Sequence, residues 1–272
     1  MSPTDTLDLA AVKQGQQAMW QSGDYGAIAA QIHVVAERLV DSVNPPAGSS
    51  VLDVAGGTGN AAIAAARSNT VVTCTDYAPA LLDRARERAA AEHLEMAFEE
   101  ADAEALPYDD ASYDVVLSVF GAMFAPDQAQ TASELARVTR SGGLIGIAAW
   151  TPEGFLGDWF RATAKHAPPP QGLASPLRWG TEDGFDELFG EHVSSVYTRK
   201  CAFTWRYPDA QTMVDQFRHV YGPTVKAFAT VGEEGAAALE AELVATVERS
   251  AHRRGNAITI PAEYLEVVAV RR

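Results

Sequence analysis

Between residues 50 and 150 short β-branched runs alternate with alanine-rich segments of helical length. That alternation leaves few folds open, because strands separated by helices pair in parallel and the helices must cross over on the faces of the sheet. SVLDVA reads as a first strand, GNAAIAAARS as a helix and TVVTCTD as a second strand. PALLDRARERAAAEH follows as a helix, with Leu81, Leu82 and Ala85 at helical spacing, Arg and Glu opposite, and Pro79 suited to a first turn. MAFEEAD gives a third strand and YDVVLSVFGAMF a fourth. AQTASELARVTR is a helix that Gly142 and Gly143 are expected to end, and LIGIAAW is a fifth strand.

The flanks have a different character. Residues 8 to 43 look helical around a break at SGDYG, with Ile28, Ile32, Val35 and Leu39 on one stripe. After Trp150 comes a stretch that reads as loop-rich around Pro168, Pro169 and Pro170, then SSVYTRKCAFTWRY with the alternation of a strand or hairpin. Residues 209 to 252 are mostly helical in pattern and AEYLEVVAVRR reads as a final strand. At 272 residues, one large α/β domain with an appendage accounts for the chain. The division expected is an N-terminal helical cap over 1–45 and a main domain over 46–272, with a helical insertion at about 208–256.

Charge narrows the partners. With 21 Lys+Arg against 36 Asp+Glu, the formal net charge of −15 repels phosphate backbones and anionic lipid, so no nucleic acid partner is expected. The apolar run VVLSVFGAMFAP is shorter than the roughly 20 residues of a membrane span. MSPTDTLDLAAVKQ lacks a basic segment followed by an apolar run, which makes a cytoplasmic location the expectation. Cys74 and Cys201 form no disulfide framework or metal-ligand spacing, no metal is expected, and Cys74 in VVTCT reads as a small buried hydrophobe.

The glycine turn in VLDVAGGTGN carries the chemistry. Glycines there let backbone amides approach a ligand, and the helix N-terminus behind them favours negative charge. Gly57-Thr58-Gly59-Asn60-Ala61-Ala62 also fits the dinucleotide pattern, so the turn alone admits a nicotinamide or flavin cofactor. Asp76 ends the second strand, where a carboxylate accepts from both hydroxyls of a ribose. Asp53, in a strand that should be buried, needs a partner such as an ammonium group, which a pyrophosphate does not supply. Asp102 and Ala103 end the third strand with an acceptor for an adenine amine and a small side chain beside the ring, and Ser118 lies along the fourth strand. The set suits an adenosine that carries an amino acid.

In this order VLDVAGGTGN, CTDYAP, EADAEALPY, YDVVLSVFGAMF and LARVTRSGGLIGIAAW resemble the class I S-adenosylmethionine (SAM) dependent methyltransferases, in particular the branch with the ubiquinone and menaquinone biosynthesis enzymes. The resemblance covers roughly residues 50 to 150. It implies a Rossmann-like, doubly wound, seven-stranded and mostly parallel sheet of order 3-2-1-4-5-7-6 with an antiparallel last strand, plus a helical lid from the N-terminal helices and the 208–256 insertion. It implies that Gly57 and Gly59, with Asp53, Ala55 and Gly56, pass the methionine moiety. Asp76 and Tyr77 would hold the ribose side, Asp102 and Ala103 the adenine, and Ser118 would lie beside the cofactor. Ala55 departs from the family pattern, which has its first glycine there. The activity implied is methyl transfer to a small-molecule acceptor with release of S-adenosylhomocysteine. A NAD-dependent oxidoreductase and a non-catalytic SAM-binding protein are the alternatives.

For the acceptor side, Phe120, Phe124 and Trp150 fall at the ligand-binding edge of the sheet. His219 and Tyr221 lie in the helical segment expected to cover it, and His33, His166 and Tyr25 complete the candidate bases. His93 and His252 read as surface residues, and His33 falls opposite the apolar stripe of its helix. No catalytic residue is singled out. Neither the acceptor atom (O, N or C) nor the oligomeric state is written in these residues.

Overall fold

A computed structural model describes residues 7–272. The apolar stripe on residues 25–43 and the alanine-rich segments of the first half become helices because each has a face to bury. In chain order the main elements are α1 (Leu9–Gln21), α2 (Tyr25–Val43), β1 (Ser50–Val54), α3 (Asn60–Ala66), β2 (Val71–Asp76), α4 (Pro79–Ala91), β3 (Ala97–Glu100) and β4 (Tyr113–Val119). Then come α5 (Gln128–Val138), β5 (Thr139–Trp150), α6 (Phe155–His166), α7 (Glu182–Phe189), β6 (Val193–Tyr207), α8 (Ala210–Val220), α9 (Gly222–Ser250), β7 (His252–Arg254) and β8 (Ala257–Arg271).

The sheet runs β3-β2-β1-β4-β5-β8-β6, with β7 paired to β8. The first five strands are parallel, and β8 is antiparallel to both β5 and β6. With β8 counted as the seventh principal strand, this is the order 3-2-1-4-5-7-6 that the resemblance implied. Chain direction switches sides between β1 and β4, and the carboxyl ends of those two strands frame the crevice where open α/β sheets bind ligands. Ile28, Ile32, Val35 and Leu39 of α2 are all buried.

Three expectations are corrected. The fourth strand stops at Val119, and residues 122–124 form a tight 3-10 turn. The reason is local: Phe120 takes a left-handed φ of 55°, which no strand continues through. Gly142 and Gly143 do not stop α5. The helix passes at Thr139 directly into β5, with Gly142 at φ 73° beside an irregularity in the β4 pairing at Tyr113/Val115. The stretch after Trp150 is not mainly loop: α6 and α7 bury Phe155, Leu156, Trp159 and Ala162, and Phe185, Leu188 and Phe189. The prolines at 168–170 lie between these helices.

Candidate active site

The turn after β1 is shaped by its own acidic residues. Asp53 is 1 % exposed, and its Oδ2 accepts from the Ala62 amide at 2.8 Å, so it caps the first turn of α3. The partner anticipated for this buried carboxylate is therefore a backbone N–H. The other oxygen, Oδ1, has no partner in the protein. Gly56 stays side-chain-free because a Cβ there would sit 2.7 Å from Asp53 Oδ2 and 2.8 Å from Cys74 Sγ. Gly57 and Gly59 take positive φ values of 57° and 81°, and Ala55 takes 52° without being glycine.

Asp76 ties the end of β2 to this turn. Its Oδ2 accepts from Gly57 N at 2.9 Å and its Oδ1 from Ala78 N at 2.8 Å. From α4, Arg88 Nη1 donates to Thr58 O and Asn60 Oδ1 and holds the far side of the loop. Burial pushes the Asp53 carboxyl up to about 7, against the opposing Ala62 hydrogen bond and with help from the charge of Asp76. Burial likewise raises Asp76 to about 6, less far because backbone amides stabilise its charged form.

Above the turn lies a cavity that opens to solvent. Asp53, Ala55, Gly56, Gly57, Asp76 and Tyr77 line it, and so do Asp102 and Ala103. On the opposite side it is walled by Phe120 and Phe124. Gly59 is not at the wall: it faces Ala85, which a Cβ on it would meet at 3.1 Å, so it serves the packing of α3 on α4. Ser118 stands just off the cavity wall. Its hydroxyl donates to Val54 O at 2.8 Å and accepts from Ala122 N at 2.9 Å, joining the ends of β1 and β4 beneath the cavity floor without lining it.

Helix α1 supplies what the sequence did not reveal. Lys13, Gln16 and Trp20 line the cavity. Lys13 Nζ donates to Asp102 Oδ2 at 2.5 Å and also pairs with Glu104, while Gln17 Nε2 donates to the Tyr77 carbonyl. Gln16 Oε1 is buried without a donor. Trp20 meets Tyr25, Phe124 and Tyr221 edge-on, with ring centroids 5.5, 5.2 and 6.1 Å away. Only the run MWQSGDYG could have hinted at this role, and only as an aromatic at a helix end.

The acceptor-side candidates separate. Phe120 is stacked flat on Trp150 at 3.7 Å, and Trp150 sits behind it, off the main cavity. Tyr25 lines the cavity beside Gly57, and burial together with Asp76 pushes its phenol well above the ordinary tyrosine range. Tyr221 is buried against Trp20 and Phe217. His219 is exposed on α8, its Nδ1 2.6 Å from Asp215 O, and does not reach the site. Its position follows from the helical period, which turns it to solvent while Phe217 goes to the core. His33, His93 and His252 are exposed, as expected, and His166 is half-buried at the end of α6 outside the cavity.

A polar end, a glycine turn and an aromatic end lie in one crevice at the β1/β4 switch, the place where open α/β sheets bind ligands. Comparison with known proteins makes this specific. Residues 51–143 match the family described as a methyltransferase domain. Uncharacterized proteins of Mycobacterium tuberculosis are 41 % identical over 245 residues, covering 88 % of this chain and 89 % of theirs, and 39 % identical over 238 residues, covering 84 % and 85 %. The demethylmenaquinone methyltransferase of Deinococcus radiodurans is 39 % identical over 123 residues, which is 44 % of this chain and 51 % of that enzyme. Among solved structures, the YcgJ protein of Bacillus subtilis shares the fold at a TM-score of 0.63 and 16 % identity, over 88 % of this chain and 99 % of that one. The chain belongs to the class I SAM-dependent methyltransferases.

Proposed function

We propose that the protein transfers the methyl group of SAM to a small-molecule acceptor and releases S-adenosylhomocysteine. The observation that carries this reading is the continuity of one cavity from the Asp76 and Asp102 end, past the glycine turn, to the rings of Trp20, Phe120 and Phe124. The residues present fit the cofactor. Asp76 offers ribose acceptors at a strand end, and Asp102 and Ala103 offer an acceptor and a small side chain for adenine. Asp53 Oδ1, buried and without a donor, is suited to an ammonium group. Of the expected 1–45 cap, residues 1–6 lie outside the described residues; residues 7–45, with α1 as the working part, act in this reading as a lid together with the 208–256 insertion. The net charge of −15 favours a small acceptor over nucleic acid.

SAM supplies an activated methyl group when bound, so the chain's task is to place an acceptor in line and keep water out. Phe124, Trp20 and Tyr25 wall that space. Burial and the charge of Asp76 hold the Tyr25 phenol above the ordinary tyrosine range, which suits it to donate to an acceptor rather than to act as a base. The reacting atom then brings its own lone pair. Isothermal titration with SAM, S-adenosylhomocysteine and NAD⁺ tests the reading: binding of the two adenosyl compounds supports it, and binding of NAD⁺ alone overturns it.

Phe124→Ala is expected to lower acceptor turnover roughly tenfold while SAM affinity changes less than about twofold, because the ring packs on Trp20 and Phe160 away from the adenosine end. Equal losses in both quantities would move Phe124 to the cofactor side.

The raised carboxyls give a second expectation. The folded chain holds their protons more tightly than the unfolded chain, so these two groups make stability fall as pH rises from about 4 to about 7. A cationic ligand beside Asp53 reverses the preference, since it pairs with the ionised form. SAM affinity is therefore expected to rise from about pH 5 to about pH 8, with proton uptake by buffer on binding. Calorimetry in buffers of different ionisation enthalpy measures this, and Asp53→Asn should flatten the upper part of the rise. A pH-independent affinity in the unsubstituted protein would remove Asp53 from the ammonium site.

A further inference from the structure

Helix α1 bridges the polar end of the cavity. Its Lys13 reaches Asp102 and Glu104, just past the end of β3, and its Gln17 donates to the Tyr77 carbonyl, just past the end of β2. The two halves of the helix are held in different ways. At the C-terminal half backbones meet: a Cβ on Gly23 would stand 2.6 Å from Val220 O, and one on Gly222 would stand 2.7 Å from Met19 O. Trp20 is anchored there among Tyr25, Phe124 and Tyr221. From Leu9 to Met19 the helix buries no side chain, and Lys13 and Gln17 supply its side-chain bonds to the loops of the sheet.

The catch for Lys13 is set in place without α1. Asp102 Oδ1 accepts from Glu104 N at 2.9 Å, Glu104 Oε1 accepts from Asp127 N at 2.8 Å, and Gln130 Nε2 donates to Glu104 O. Each carboxylate turns its second oxygen to Lys13 Nζ. The Asp102 side chain is 35 % exposed and that of Glu104 only 9 %, so two like charges stand together and one is nearly out of water. That arrangement is costly unless a cation joins them, and Lys13 is the cation lining this cavity among the described residues. An adenine amine calls for one acceptor. The second carboxylate is accounted for by Lys13.

We propose that Lys13 latches the N-terminal half of α1 over the bound nucleoside. Residues 9–18 swing away from Asp102 and Glu104 to exchange cofactor, about a hinge at Met19–Gly23 that leaves Trp20 in the acceptor wall. The inference rests on the cofactor reading above. Opening breaks two ion pairs and one hydrogen bond and uncovers no buried side chain, which puts this segment at the low-stability end of the fold. A carboxylate oxygen has two acceptor sites, so Asp102 Oδ2 can hold Lys13 and an adenine amine together. Lys13 is in this account a positioning residue. It governs how long the cofactor stays and takes no part in methyl transfer itself.

The test measures the release rate of S-adenosylhomocysteine from the full chain, and hydrogen exchange along α1 with and without it. Lys13→Met is expected to release the ligand about fivefold faster, with Glu104→Gln in between, while Lys13→Arg, which keeps the charge, stays within about twofold of the unsubstituted protein. In the unsubstituted protein release should quicken with added salt, and Lys13→Met should lose that dependence. Without ligand the amides of residues 13–18 should exchange faster than those of α2, and S-adenosylhomocysteine should slow them. Salt dependence and exchange are both read in the unsubstituted protein, so they decide the matter even if Lys13→Met folds poorly. Release that ignores salt, equal release from Lys13→Met and the unsubstituted protein, or amides 13–18 as slow as those of α2 without ligand overturns the latch. Failure to bind S-adenosylhomocysteine at all overturns the cofactor reading, and the latch with it.

Discussion

Asp76→Ala is expected to weaken S-adenosylhomocysteine binding by roughly a hundredfold or more, while the chain stays folded. The carboxylate is 4 % exposed at the end of β2 and faces the cavity. Hydrogen bonds to a charged acceptor contribute about 1.5–3 kcal/mol each, so loss of two ribose contacts removes about two orders of magnitude in affinity even after partial compensation. The same side chain also holds Gly57 N and Ala78 N, and these amides lose their partner in the variant. Part of that cost is returned, because a carboxyl pushed up to about 6 by burial is itself an unfavourable group to bury. A net loss of about 1–3 kcal/mol in unfolding free energy is the expected sum. Asp76→Asn separates the two roles: it keeps the shape and one acceptor, so it should retain most stability and fall between the other two in affinity. Titration of the three proteins, with urea unfolding alongside, makes the check. Affinity within about threefold of the unsubstituted protein in Asp76→Ala would place the ribose elsewhere.

The residues that carried the reading from the sequence share a property: each is constrained by its own strand or turn. Gly57 sits at a positive φ beside a ligand crevice, and Asp76 ends a strand at the sheet's carboxyl edge. Such local demands leave a residue-type signature. The alternation of strands and helices was legible for the same reason, and with it the sheet order once the resemblance was recognised. What stayed hidden depends on the packing of distant segments. Lys13, Gln16 and Trp20 reach the cavity across most of a helix, a loop and a strand, and the period of α1 says only that it has a face. The bonding of Ser118 was hidden because strand periodicity gives the side of the sheet and not the partner. Its hydroxyl is engaged by Val54 and Ala122. In α6 the apolar spacing of Phe155, Leu156, Trp159 and Ala162 was present but overshadowed by the prolines that follow.

Two strained positions, Ala55 at φ 52° and Phe120 at φ 55°, lie on facing strand ends at the cavity floor, where left-handed backbone in bulky or methyl-bearing residues persists only if the surroundings impose it. Gly121 shows what imposes it. Its own φ of −103° is open to alanine, yet a Cβ there would stand 2.1 Å from Ala55 O and 2.8 Å from Ala55 Cβ. The ends of β1 and β4 are therefore pressed together backbone to backbone, and the departure from glycine at Ala55 is matched by glycine at Gly121. Gly121→Ala is expected to destabilise the chain by about 3 kcal/mol, at the upper end of overpacking costs, because the obstructing atom is a carbonyl and not a flexible side chain. It should also lower S-adenosylhomocysteine affinity at least about tenfold, since Ala55 can yield only by moving the turn that faces the ligand. Ala55→Gly alone relieves the left-handed strain at the cost of chain entropy and should be close to neutral, within about 1 kcal/mol. Combined with Gly121→Ala it removes the Cβ contact but leaves the carbonyl contact, so rescue should be partial. Full rescue by the double replacement would show that side-chain crowding sets the floor of this cavity. No destabilisation in Gly121→Ala would show that the two strand ends have room to separate, and would remove the physical basis for the strain at Ala55.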